Sequence, residues 1–99
     1  MALPDTIVMF GSARWGRILG QILLKETACS LQYVTASAQR AESLVAWAAE
    51  VGFGCRVTIV ADLVDVTPHA RAAFVANAAR DHEAAVVYAL SRGLPTLVE

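Results

Sequence analysis

The sequence predicts an α/β fold of the doubly wound type, a parallel sheet of about five strands covered by helices on both faces in three layers. Two patterns and the length point there. Short apolar runs alternate with amphipathic stretches of helical period from one end of the chain to the other. A loop containing glycine joins the first apolar run directly to the first amphipathic stretch. The length of 99 residues fits a single domain with one core.

Each element has its own reason. Thr6-Ile7-Val8-Met9-Phe10 is a short apolar run ended by Gly11, as suits a strand buried on both faces. From Trp15 the apolar residues Trp15, Ile18, Leu19, Ile22 and Leu23 fall on one helical face. Leu31 to Ala36, with Tyr33, Val34 and Thr35, reads as the second strand. Ser37 precedes a helix whose inner side carries Ala41, Leu44, Val45, Ala48 and Val51, and Gly52 closes it. Arg56-Val57-Thr58-Ile59 is expected as a third strand, short and near an edge. Asp62-Leu63-Val64 begins a helical turn that Pro68 stops. Ala72 to Ala76 reads as the fourth strand, although its alanines also suit a helix. Asp81 is the expected N-cap of a helix running to Arg92, with Gly93 just beyond it, and Leu97-Val98 is the fifth strand. Strands alternating with helices imply right-handed crossovers, and such sheets bind ligands at the carboxyl ends of their strands. The loops after strands one, two, four and five are therefore the expected site.

Composition narrows the function. The apolar share of 57%, the charged share of 17% and the net charge of −1 exclude a disordered chain and give no signal for nucleic acid or a membrane surface. No apolar stretch approaches the roughly 20 residues that span a bilayer. Met1-Ala2-Leu3-Pro4-Asp5 has no secretory pattern, so a cytoplasmic protein is expected. Cys29 and Cys55 read as two reduced, partly buried thiols. No Cys or His pair has metal-ligand spacing, so no metal is expected.

The loop after the first strand, Gly11-Ser12-Ala13-Arg14-Trp15-Gly16, is G-x-G-x-x-G with alanine in the middle. In a Rossmann-like fold Gly11 permits the tight turn and Gly16 lets the helix lie against the strand. The helix start then offers free N–H groups and a positive dipole end to a pyrophosphate. The Ala13 methyl group stands where the middle glycine normally allows the nearest backbone approach, so it pushes the phosphates outward or replaces a water. The alternative is an ordinary connection that happens to contain glycine.

Three stretches carry a resemblance. Arg14-Trp15-Gly16 ends the phosphate loop. Val75-Ala76-Asn77-Ala78-Ala79-Arg80-Asp81-His82 forms a fourth strand and a loop closing on histidine. Ala89-Leu90-Ser91-Arg92-Gly93-Leu94-Pro95-Thr96-Leu97-Val98-Glu99 forms a glycine turn and an apolar strand ending in glutamate. In this order they resemble the cofactor-binding half of the glucose–fructose oxidoreductase and inositol dehydrogenase group, the Gfo/Idh/MocA oxidoreductases. The resemblance covers essentially the whole chain. It implies a dinucleotide site at Gly11, Ser12, Ala13, Arg14, Trp15 and Gly16, with Asn77, His82 and Glu99 also on the cofactor and His82 near the nicotinamide. The departures are as informative. That family follows this glutamate with Lys-Pro, and its lysine takes part in catalysis, whereas the sequence here stops at Glu99. Its second, substrate-binding domain has no counterpart here. Ala78 and Ala79 replace a proline and an asparagine. The expectation is a domain of residues 1–99 that binds a cofactor without turning over a substrate alone.

The cofactor follows from the second strand. An NAD site places a carboxylate about 20 residues beyond the glycine loop to accept from the ribose hydroxyls. Here Thr35-Ala36-Ser37-Ala38-Gln39-Arg40 offers none before Glu42. Ser37 and Arg40 suit a 2′-phosphate, favouring NADP with NAD still possible. The other reading is that Ser37 caps the next helix and Arg40 is a solvated charge.

Other residues carry competing readings. Trp15 either shields the pyrophosphate or packs the first helix on the sheet. His82 either borders the nicotinamide or merely opens a helix, and Asn77 either touches a ribose or satisfies loop backbone. His69 reads as a loop residue, and Arg71 and Arg80 as surface charges with phosphate binding as the alternative. No nucleophile–base pair is visible, so no catalytic residue is expected. A non-enzymatic interaction module that kept the fold and lost the ligand is the competing function, and Ala13, Ala78 and Ala79 are what it predicts. A receiver-like domain is disfavoured because the first strand ends Phe10-Gly11 rather than in acids. Leu94, Leu97 and Val98 are expected at an open edge, which implies a homodimer or another protein partner through the strand-five side.

Overall fold

The computed structural model describes residues 5–77 and 79–99, with side chains at all of these except 79 and 80. The expectations for residues 1–4 and for the side chains of Ala78, Ala79 and Arg80 lie outside the described residues. β1 (Thr6–Phe10) occupies the centre of a fully parallel sheet. β2 (Ser30–Val34) pairs on one side of it and β3 (Val57–Val60) lies beyond, at the edge. β4 (Ala70–Val75) pairs on the other side of β1, and β5 (Thr96–Val98) forms the far edge. The order β3-β2-β1-β4-β5 reverses its direction of growth between β1 and β4. That reversal opens a crevice at the carboxyl ends of these two central strands.

The strand pleat divides the core. Met9, Leu31 and Tyr33 point to one face, where Leu24 of α1 (Arg14–Glu26) and Leu44 of α2 (Ala38–Glu50) cover them. Val8, Phe10, Ala73 and Val75 point to the other face and pack on Ala85 and Ala89 of α3 (Ala79–Ser91). Gln32 is buried on this second side, and its Oε1 accepts from the Thr67 N–H at 2.8 Å, pinning the chain that leads into β4. Among the described residues no helix is long and apolar enough to cross a membrane.

Several expectations need correction. The inner face of α1 is not centred on Trp15, Ile18 and Ile22. Its buried residues are Gly16, Gly20 and Leu24, while Ile22 and Trp15 are 52% and 56% exposed. The helix lies so near the sheet that only glycine fits beneath it, and a hydrophobicity pattern gives glycine no weight. Val45 of α2 is likewise exposed, leaving Leu44 and Ala48 as its buried contacts. Asp81 sits within the first turn of α3 rather than capping it, because the helix begins at Ala79. β2 starts and ends earlier than expected, and β4 begins two residues sooner. Leu94 is buried beside Ala89, whereas Leu97 and Val98 are exposed on the β5 edge as expected. Cys29 is buried but Cys55 is exposed, on a single turn of 3-10 helix (Gly54–Arg56).

Candidate functional site

The site starts from two glycines. Gly11 has φ +125°, a conformation that side chains rarely adopt. A Cβ there would also meet the Ala76 carbonyl carbon and oxygen at 2.6 Å. The turn after β1 therefore touches the end of β4, and the two loops close on one another. Gly16 solves a different problem. A Cβ at Gly16 would lie 2.0 Å from the Gly11 carbonyl oxygen, so only a hydrogen there lets α1 follow the turn so tightly. Ala13 is the N-cap of α1 with φ −80°, an ordinary extended conformation, so alanine at this position is unstrained. Alanine has no side chain that can cap the helix, and among the described residues no side-chain cap bond is made at the start of α1.

Around this turn lies a cleft of about 370 Å³, lined by Gly11, Ser12, Ala13, Trp15, Arg40, Ala76, Asn77, Asp81 and Glu99. Its walls come from the β1–α1 turn and the start of α1, the first turn of α2, the β4–α3 connection and the first turn of α3, and the end of β5. Glu99 is held in place by its backbone, whose N–H donates to the Val75 carbonyl at 2.9 Å. The charges enter from opposite halves of the sheet. Arg40 comes from α2 on the β2–β3 side, and the acidic residues Asp81 and Glu99 come from the β4–β5 side. No described residue pairs with the Arg40 guanidinium. Among the described residues the buried Asn77 Oδ1 has no hydrogen-bond partner, while its Nδ2 donates to the Asp81 carbonyl at 3.4 Å.

Of the expected site residues, Gly11, Ser12, Ala13, Trp15, Arg40, Asn77 and Glu99 meet at this cleft. Gly16 lies beneath it. Trp15 is half exposed on its rim, which removes the reading that it packs α1 on the sheet. Arg14 is exposed and is not part of the lining. Ser37 caps α2, its Oγ accepting from the Arg40 N–H at 3.2 Å, and it too is outside the lining. His82 is turned to the loop: its Nε2–H donates to the Asn77 carbonyl at 2.7 Å, so it braces the backbone and does not face the cleft. Arg71 lies at the opposite end of β4, paired with Asp5 at 3.3 Å on an exposed surface. His69 is an exposed residue of the loop before β4. Among the described residues no group of three or more His, Cys, Asp or Glu side chains is placed to hold a metal ion.

Residues beneath the loop escaped the sequence reading. Tyr33 is fully buried and donates its hydroxyl to the Gly16 carbonyl at 2.7 Å. Burial pushes its phenol well above the usual tyrosine range, partly offset by the nearby Arg17 cation, so it stays protonated and a donor. Gly20 makes room for it, since a Cβ there would stand 2.2 Å from the Tyr33 hydroxyl. The available signal was Gly16 and Gly20 spaced four apart, a smooth stripe along one helix face.

No family model matches the chain, and no curated protein sequence matches it. Solved structures do. Quinate dehydrogenase from Corynebacterium glutamicum, in complex with NAD, matches with TM-score 0.63 and 22% identity, over 77% of this chain and 28% of its own. Lactate dehydrogenase from Cryptosporidium parvum, complexed with lactic acid and β-nicotinamide adenine dinucleotide, matches with TM-score 0.56 and 15% identity, over 77% and 25%. Geranyl diphosphate C-methyltransferase from Streptomyces coelicolor A3(2), with S-adenosyl-L-homocysteine bound, matches with TM-score 0.56 and 23% identity, over 72% and 27%. This chain has a Rossmann-like fold. It spans less than a third of the length of each of these proteins.

Proposed function

We propose that the chain binds a nicotinamide dinucleotide, NADP(H) in preference to NAD(H), as the cofactor domain of an oxidoreductase of the Gfo/Idh/MocA type. The observation that carries this reading is the cleft itself, which gathers the glycine turn, Arg40, Asn77 and Glu99 at the switch point of the sheet. The residues present fit such a ligand. The glycine turn and uncapped start of α1 suit a pyrophosphate. The partnerless Asn77 Oδ1 suits a ribose hydroxyl donor. Arg40, entering from the β2 side where the strand end has no carboxylate, suits a 2′-phosphate, and Ser37 supports it by capping the helix that carries it. An S-adenosyl ligand carries no phosphate and leaves both the turn and Arg40 without a task. When bound, NADPH supplies a hydride; the residues here hold and orient it, and we assign none of them a catalytic role.

The test is calorimetric titration with NADPH, NADH and, as a control, S-adenosyl-L-homocysteine. Binding that favours NADPH supports the reading. Heat with the homocysteine derivative alone makes the site a methyltransferase-type one, and no heat with any of the three favours an interaction module that has lost its ligand. We further propose that a second copy or another chain covers the strand-five side. Leu97 and Val98 are exposed there, beside an apolar recess of about 300 Å³ formed by Ile7, Leu23, Ala72, Phe74 and Pro95. Sedimentation of the purified chain should show a dimer; a monomer at micromolar concentration removes the homodimer.

A further inference from the structure

A loop that binds a pyrophosphate must present N–H groups to it, and a carbonyl oxygen swung into the cleft repels the same ligand. Three of the loop carbonyls here accept from protein donors, two of them from one residue. Arg17 donates its backbone N–H to the Ala13 carbonyl at 3.1 Å and its Nε–H to the Ser12 carbonyl at 3.0 Å. Its Nη2 donates to Ser43 Oγ on α2. Ser43 lies three residues past Arg40, close to one helical turn. Beneath the same loop the Tyr33 hydroxyl takes the Gly16 carbonyl, and the Tyr33 ring meets Trp47 of α2 edge to face at 6.0 Å. Neither Arg17 nor Tyr33 lines the cleft.

We infer that Arg17 and Tyr33 are positioning residues for the glycine loop, with Arg17 acting as a strap between the loop and the helix that carries Arg40. This rests on the dinucleotide reading above and deepens it. The strap does two things. Its guanidinium holds the Ser12 carbonyl on a protein donor, beside the Ala13 carbonyl already held by the main-chain N–H of residue 17, which leaves the amides of the turn to face the ligand. It also fixes the separation between the loop that takes the pyrophosphate and the guanidinium that takes the 2′-phosphate. A ligand that spans both points gains from that fixed separation, and one lacking the 2′-phosphate gains less. NADPH therefore depends on Arg17 more than NADH does, although Arg17 touches neither.

The experiment compares the chain with its Arg17→Lys and Ser43→Ala variants by amide hydrogen exchange and by titration with NADPH and NADH. Lysine keeps the charge, yet its single ammonium cannot serve the Ser12 carbonyl and Ser43 Oγ with the fork geometry of a guanidinium. In both variants the amides of residues 17–20, which donate to the carbonyls of residues 13–16, should exchange faster while those of Val8–Phe10 keep their protection. NADPH binding in Arg17→Lys should weaken roughly five- to tenfold, as loss of one or two such hydrogen bonds implies, with a smaller change for NADH. Unchanged exchange at residues 17–20 in both variants overturns the strap, whatever the ligands do. Equal weakening of NADPH and NADH overturns the coupling to Arg40. If the unaltered chain binds neither nucleotide, the functional reading fails, and the exchange data still decide whether Arg17 holds the loop.

Discussion

Gly16→Val is expected to abolish dinucleotide binding and to lower the melting temperature by roughly 10 °C or more. The reason is a contact with no give in it. A Cβ at Gly16 would stand 2.0 Å from the Gly11 carbonyl oxygen, and that neighbour is backbone rather than the tip of a flexible side chain. Helix α1 must lift from β1, and in lifting it carries the first-turn amides away from the cleft. Overpacking of this kind costs about 1–3 kcal/mol or more, against a total stability on the order of 5–15 kcal/mol. For a domain of this size each kcal/mol is worth about 4–8 °C. Circular dichroism melting and calorimetry on the same sample separate the two effects. A folded variant that binds NADPH as tightly as the parent would mean the phosphates sit elsewhere.

Arg40→Ala carries the second large effect, and it is selective. Arg40 reaches the cleft from α2, where no described residue competes for its guanidinium. A charge-assisted bond to a 2′-phosphate is worth about 1–3 kcal/mol, and solvent exposure at this position favours the lower half of that range. The expected result is NADPH affinity reduced by about fivefold to several tens of fold, with NADH affinity nearly unchanged. Salt should weaken the parent's preference for NADPH as well, because an exposed ionic contact is screened. Loss of both cofactors to the same degree assigns Arg40 a structural role and removes the argument for NADP.

Local chemistry was enough to read much of the fold. The run Thr6–Phe10 is apolar after Thr6, which suited a buried strand, and it forms the centre of the sheet with Val8, Met9 and Phe10 buried. Gly11 was recognisable because a turn that sharp at the end of a buried strand needs a residue free to adopt positive φ. Ser37 carried two readings, a donor to a 2′-phosphate and a cap placed before an apolar-periodic stretch, and it caps α2. The place of the cleft was legible for the same reason: in a parallel sheet the strand order and loop positions dictate where a crevice opens, and seven residues singled out in the sequence, Gly11, Ser12, Ala13, Trp15, Arg40, Asn77 and Glu99, line one cleft.

What escaped the sequence depended on how near two elements approach. Hydrophobic periodicity placed Trp15 and Ile22 inside, yet α1 rests on Gly16 and Gly20, because the approach is set by the absence of side chains. Tyr33 looked like an ordinary strand residue, and only packing shows its hydroxyl under the Gly16 carbonyl. His82 drew attention as a group with chemistry to offer, but its ring is occupied by the Asn77 carbonyl five residues earlier. Arg17 carried no motif at all, since its partners Ser12 and Ser43 are five and 26 residues away. The sequence by itself determined the order of elements, the parallel sheet and the loop that faces its switch point, all of which follow from short-range pattern and chain chirality. Only the tertiary structure decided which side chains share the cleft and which support it from below, because those contacts join residues distant in the chain across gaps of a few ångströms.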